Sequence, residues 1–166
     1  MARLVLSDAS PLIGLAIVDG LAWLPVLFGE VWIPPSVQRE VLPGVSARGE
    51  AEIAAGVKHK GLRVWRKSIL LPAVPLPDLD EGETDCIRIA LANEADQTLI
   101  LMDERAGRAV ATEHGIRVAG TAAVIGLAKK RGLITSAKER FATLHTTDFR
   151  ISAAVIQTIL NDVGER

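Results

Sequence analysis

Short apolar runs alternate with longer amphipathic stretches along most of the chain. Residues 3–6 form the first such run and read as a central strand. Further strands are expected at residues 31–33, 62–65, 98–102 and 116–119, each short and rich in Val, Ile or Leu. Between them, residues 12–18, 21–28, 36–42, 50–57 and 104–113 carry helical spacing. A longer helix opens at Asp80, another follows Thr121, and two close the chain at residues 136–144 and 152–163. In the helix after Pro34-Pro35, Val37 and Val41 lie on one face at i, i+4.

The punctuation agrees with this pattern. Ser10 reads as an N-cap with Pro11 in the first helical position. Asp80 with Glu83 three residues on is a capping-box-like pair. Gly115 and Gly132 stand where helices stop, the second behind Lys129, Lys130 and Arg131, cations at the favourable helix end. Pro72, Pro75 and Pro77 mark an extended connection that cannot be helix. Regular alternation of strand and helix predicts a parallel sheet covered on both faces, a three-layer α/β/α sandwich. A chain of 166 residues suits one domain, with the helices from about residue 133 packing on it.

Composition changes the picture little. With 49% hydrophobic residues the chain can bury a sizeable core, and a net charge of −1 gives no global basic field. A local basic patch beside an acidic site would cancel in that sum. The single cysteine, Cys86, excludes an intramolecular disulfide and fits a reducing cytoplasm. No secretory leader and no run long enough to span a bilayer is expected. His59, His114 and His145 show no ligand spacing and suit surface or capping positions. Trp23, Trp32 and Trp65 suit core or interface.

The chemistry lies in the acids. Strand ends in open α/β folds deliver ligand-binding residues to one edge. Asp8 follows the first strand and Asp103 the fourth. Glu40 sits beside the apolar face of the third helix, where an acid is otherwise a solvated flank or a partner for Arg39. Asp8 has an ordinary alternative as a turn residue, and Glu83 as a capping residue. Asp85 lies deeper in its helix, where no cap explains it. Glu81 and Asp85, like charges at i, i+4, are unfavourable together unless a cation reverses the sign. Close carboxylates require a counter-charge, and Mg²⁺ or Mn²⁺, one ion or two, prefers such oxygen ligands.

Taken in order, these segments resemble the PIN-domain nucleases over nearly the whole chain. DASPLI is similar to the family's first acidic motif, with Asp8 as the acid and Ser10 beside it. PSVQREV is similar to the second, with Glu40; DEGETDCIRIALA to the third; LILMDERAGR to the fourth, with Asp103. In the third motif Asp85 fits the usual spacing best and Glu83 is the runner-up or a helper. The stretches GTAAVIGLAKKRGLI and FRIS further resemble a bacterial branch related to the toxins of toxin–antitoxin pairs. The resemblance implies a Rossmann-like fold and a catalytic set of Asp8, Glu40, Asp85 and Asp103, with Glu83 as a further metal ligand. It also implies hydrolysis of phosphodiester bonds, most plausibly in single-stranded RNA.

Ser10, Arg105 and Arg108 are the expected substrate contacts, with the tract at residues 58–63 and Lys129 to Arg131 as further cations. An antitoxin partner and a homodimer, the latter through the apolar helices at residues 12–28, complete the expectations. Two other readings stand beside the nuclease. One is a binding or regulatory module that keeps the fold and the site but cleaves little. The other is a receiver-like phosphoacceptor, which requires a lysine at the end of the last strand, where Val118, Ala119 and Gly120 stand.

Overall fold

The computed structural model describes residues 2–59, 61–72 and 75–165. Its centre is a parallel sheet built from β1 (Leu4–Ser7), β2 (Val31–Ile33), β3 (Leu62–Val64), β4 (Thr98–Leu101) and β5 (Arg117–Ala119), in the order β3-β2-β1-β4-β5. The β1–β4 pair is the longest ladder, running from Leu4 opposite Thr98 to Ser7 opposite Leu101. Parallel strands buried on both faces need apolar side chains in both directions. Val5, Leu6, Val31, Ile33, Ile100 and Leu101 are accordingly all buried.

The helices are α1 (Ala9–Ile17), α2 (Trp23–Phe28), α3 (Pro35–Val41), α4 (Glu50–Lys58), α5 (Glu81–Ala92), α6 (Arg105–Glu113), α7 (Thr121–Lys130), α8 (Ala137–His145) and α9 (Ala153–Asp162). The chain winds from β1 out to β3, crosses back to β4 and continues to β5. Right-handed crossovers then place α1 and α4 on one face and α5 and α6 on the other; α1 packs on α4 and α7, and α5 on α6. The expected sandwich is the observed fold. The last two helices pack on α7, where Gly126 admits Ile159 of α9: a Cβ there would lie 2.9 Å from that side chain.

One local expectation changes. Helix α1 begins at Ala9, so the N-cap position belongs to Asp8 and not to Ser10. Pro11 therefore falls inside the first turn, where its missing N–H still costs no helical bond. In and between α1 and α2, Leu12, Leu15, Leu24 and Leu27 are buried, Ile13, Ile17, Leu21 and Phe28 are partly buried, and Val26 is exposed. No helix among the described residues is long and apolar enough to cross a membrane.

Candidate metal centre and cleft

Asp8 stands at the C-terminal edge of the sheet. Its backbone N–H donates to the Leu101 carbonyl at 2.9 Å, carrying the β1–β4 ladder one step past Ser7. Although it occupies the N-cap position, its side chain makes no capping bond. The residue is 3% exposed, and Oδ1 is buried without a hydrogen-bond partner among the described residues. A buried carboxylate oxygen with no donor is costly. Burial pushes the Asp8 pKa up to about 7; the Ala9 N–H opposes this, while Asp80, Glu40 and Asp103 add to it.

The segment opening α5 approaches from the neighbouring layer. Asp80 Oδ1 accepts the Glu83 backbone N–H at 2.8 Å, the forward half of the capping box expected from the sequence. Asp8, Asp80 and Glu83 each offer an oxygen, and the three lie within 4.8 Å of one another. Two glycines make this approach feasible. A Cβ on Gly82 would sit 2.7 Å from Asp8 Oδ1, and one on Gly107 would sit 2.6 Å from Glu83 Oε2. Glu83 is 4% exposed. Burial, a hydrogen bond with Asp80 and the charges of Asp80, Asp8 and Glu104 push its pKa up to about 8.

The other expected acids occupy different positions around this group. Glu40 lies on α3 with its pKa raised by partial burial and then by Asp80, so it belongs to the same negative field. Asp103 follows β4 and is held from three directions. Ser10 Oγ donates at 2.8 Å, Thr121 N at 2.7 Å and Thr121 Oγ1 at 2.7 Å. Ser10 thus fixes an acid of the site instead of capping a helix. Asp103 contributes to the field at Asp8. Glu104 takes the N-cap position of α6 without a side-chain capping bond, and its charge acts on Glu83.

The structure sends Asp85 and Glu83 in different directions. Helical geometry turns Asp85 about 200° from Glu83, toward α3. Its Oδ2 accepts from Ser36 Oγ at 2.7 Å, and Arg88 lies 3.7 Å from Oδ1. Glu81 pairs with Arg39 at 2.9 Å. The two like charges are therefore relieved by separate partners, with no shared cation required. Loss of the third oxygen donor should weaken Mn²⁺ binding strongly, whereas loss of a charge already held by Ser36 should not. Glu83→Gln is expected to cut Mn²⁺ affinity by more than about 10-fold and Asp85→Asn by less than about 3-fold. Isothermal titration with Mn²⁺ checks this; the opposite ranking would return Asp85 to the centre.

These donors fit a cation. They are all oxygens, they converge, and one of them, Asp8 Oδ1, is buried without a hydrogen-bond partner among the described residues. Hard divalent ions such as Mg²⁺ and Mn²⁺ take this kind of set. Beside it runs a cleft of about 790 Å³, lined by Ser10, Asp103, Arg105, Arg108, Phe149 and Arg150 among others. Arg105 and Arg108 have no ion-pair partner among the described residues. Arg108 Nη1 lies near Asp103: a Cβ on Gly120 would fall 2.8 Å from the first and 2.9 Å from Asp103 Oδ1. Arg150 Nη1 donates to the Thr147 carbonyl at 2.6 Å, which holds it against its own loop.

Three of the remaining cations expected near substrate, Lys129, Lys130 and Arg63, have partners elsewhere. Lys129 donates to the Thr135 carbonyl and Lys130 pairs with Asp162. In the tract at residues 58–63, Arg63 pairs with Glu30, and Lys60 lies outside the described residues. His114 contacts the Val110 carbonyl at the end of its helix, and His145 accepts the Ile151 N–H. Sequence reading missed Asp80 as a member of the acid group and Arg150 as a cleft residue. Asp80 carried a signal, the acid run DEG, but the capping box accounted for it completely. Arg150 lies in the FRIS stretch that carried part of the family resemblance, but only the fold brings the α8–α9 connection to the cleft.

A family model described as a PIN domain matches residues 4–165, and the chain belongs to that family. PIN domains are generally metal-dependent nucleases, and this one has a nuclease fold with an acidic group able to hold a metal ion. No curated protein and no solved structure matches it.

Proposed function

We propose that the protein is a Mg²⁺- or Mn²⁺-dependent endoribonuclease that cuts single-stranded RNA. The observation that carries this reading is the convergence of Asp8, Asp80 and Glu83 around a buried carboxylate oxygen that has no donor. Asp8, Asp80 and Glu83 would hold the ion, with Glu40 and Asp103 adding charge around it. A divalent ion bound there supplies a water of lowered pKa and shields charge on the phosphate.

The chain's own groups do the rest. Arg105 and Arg108 present unpaired guanidinium groups to the cleft beside Asp103, where phosphates bind with affinity but no sequence choice. Arg150 adds a third, already ordered by backbone carbonyls. Ser10 and Thr121 keep Asp103 in one orientation and so spare the site that reorganisation. Toxin activity and an antitoxin are proposed on the likeness of the later segments to the toxin branch, a cytoplasmic location on the single cysteine, Cys86, and a homodimer on the apolar helices at residues 12–28 and the family resemblance.

The test is incubation of generic single-stranded RNA with the protein in Mn²⁺ and in chelator, read on a sequencing gel. Internal cleavage in Mn²⁺ that stops in chelator is expected. RNA that stays intact in Mn²⁺ while binding to the protein would instead favour the regulatory-module reading.

A further inference from the structure

A second concavity, of about 890 Å³, lies away from the acids. It is lined by the beginnings of β1 and β4 (Leu4, Thr98), by β2 and β3, by the end of α5 and by the segment that follows β3. Helix α5 opens at the acidic group and ends at this groove. Its 12 residues cover about 18 Å at ~1.5 Å per residue.

The lining combines rings and cations. Trp32 and Trp65 pack edge to face with centroids 5.6 Å apart. The Arg63 guanidinium lies over the Trp32 ring at 4.9 Å, and the Lys67 ammonium lies 5.6 Å from the Trp65 ring. Arg3 and Arg66 add two more cations, against Glu94 as the one acid of the lining. Arg3 pairs with that Glu94 at 3.2 Å and Arg63 pairs with Glu30. Arg66 and Lys67 are exposed and have no carboxylate partner among the described residues. In addition, the indole N–H of Trp65 is buried without an acceptor among the described residues. A chain with net charge −1 has thus gathered cations and two of its three tryptophans in one hollow.

We infer that this groove holds a stretch of single-stranded RNA outside the cleavage cleft. The choice of ligand rests on the ribonuclease reading; the groove itself does not. Cations take phosphates, and a base stacks on an indole or on a guanidinium such as that of Arg63, 4.9 Å from the Trp32 ring centroid. Charge alone would suit an acidic peptide as well, but a peptide of that kind has no use for the ring-and-guanidinium surface. At about 3.4 Å per stacked nucleotide, the length of α5 corresponds to roughly five nucleotides, so the same strand can occupy both places. The sequence expectation of a core position holds for Trp65, which is 8% exposed, whereas Trp32 is half-buried and offers the groove its accessible ring.

The experiment is fluorescence anisotropy with a labelled 12-nucleotide RNA in chelator, across a salt series. The exposed pair Arg66→Ala/Lys67→Ala is expected to bind about 10-fold more weakly than the unaltered protein. Its salt slope should fall by about 1.4, the value for two phosphate contacts to a single strand. Trp32→Leu should weaken binding and leave that slope in place. If the double variant shows the parent affinity and slope, the inference fails. It also fails if adenosine monophosphate competes as strongly as the 12-mer, which makes the occupant a free nucleotide. Displacement by polyglutamate at the same charge concentration would likewise overturn it, in favour of an acidic protein segment. Mn²⁺-dependent cleavage with groove-independent binding sinks the groove alone; groove-dependent binding without cleavage sinks the nuclease alone.

Discussion

Asp8→Asn abolishes Mn²⁺-dependent RNA cleavage without unfolding the protein. The loss expected is more than about 100-fold, since even groups that merely support a metal ligand are worth 10- to 100-fold. The reason lies in burial. Asp8 has a buried oxygen without a hydrogen-bond partner among the described residues, and its backbone is tied to Leu101 at the end of the strand ladder. Asparagine keeps the shape, which matters because Gly82 leaves no room for a larger group. It removes only the charge. In chelator at pH 8 the variant should therefore melt at or above the temperature of the parent protein. Added Mn²⁺ should no longer raise that temperature. The two readouts, cleavage on a gel and melting by circular dichroism, separate a site effect from a folding effect. A variant that cleaves at the parent rate removes Asp8 from the chemistry.

The metal-free protein loses stability as pH rises through neutrality, and a divalent ion restores it. In the unfolded chain Asp8 ionises near 3.8, whereas in the folded protein burial holds its proton up to about 7. Below about pH 4 both states are protonated and the group contributes nothing. Above that, the unfolded chain ionises first while the folded one resists, so unfolding becomes progressively easier until about pH 7. Glu83, ordinarily near 4.5 and held up to about 8, extends the decline by a further step. For Asp8 the ceiling is on the order of 4 kcal/mol, or a fall of roughly 10 °C in melting temperature. A bound cation reverses the sign, because it favours the ionised acids and binds only the folded state. The expected result is a Mn²⁺-induced rise in melting temperature that is large at pH 8 and small at pH 5. A metal-free melting temperature that is flat or rising between pH 5 and 8 would contradict it.

The sheet was readable in advance for a simple reason. Strands such as VWI and TLIL are apolar on both faces, and only a buried parallel sheet gives such a strand a place. Their order, β3-β2-β1-β4-β5, was not readable in this way and came from the tertiary structure. The helix stops were equally plain, because Gly115 and Gly132 carry the positive φ, 75° and 72°, that ends a helix. The acids were readable as candidates, not as a set. Spacing brought forward Asp85, which lacked a local excuse, and set aside Asp80, which had one. In the folded protein Ser36, on another helix, gives Asp85 a partner, and Asp80 performs its capping role while lying close to Asp8 and Glu83.

What the sequence determined by itself is the periodicity, the caps, the strand ends and hence the edge at which chemistry is placed, because all of these are local properties of a chain with fixed φ/ψ preferences. What only the tertiary structure decided is which carboxylates share a field. That depends on the rotation of α5 about its axis and on how closely it can approach β1 and α6. Gly82 and Gly107 set that approach by lacking a side chain. It depends equally on Ser36, Ser10 and Thr121, hydroxyls distant in sequence, which claim Asp85 and Asp103. Partner and distance assign an acid its role, and neither is written in the neighbouring residues.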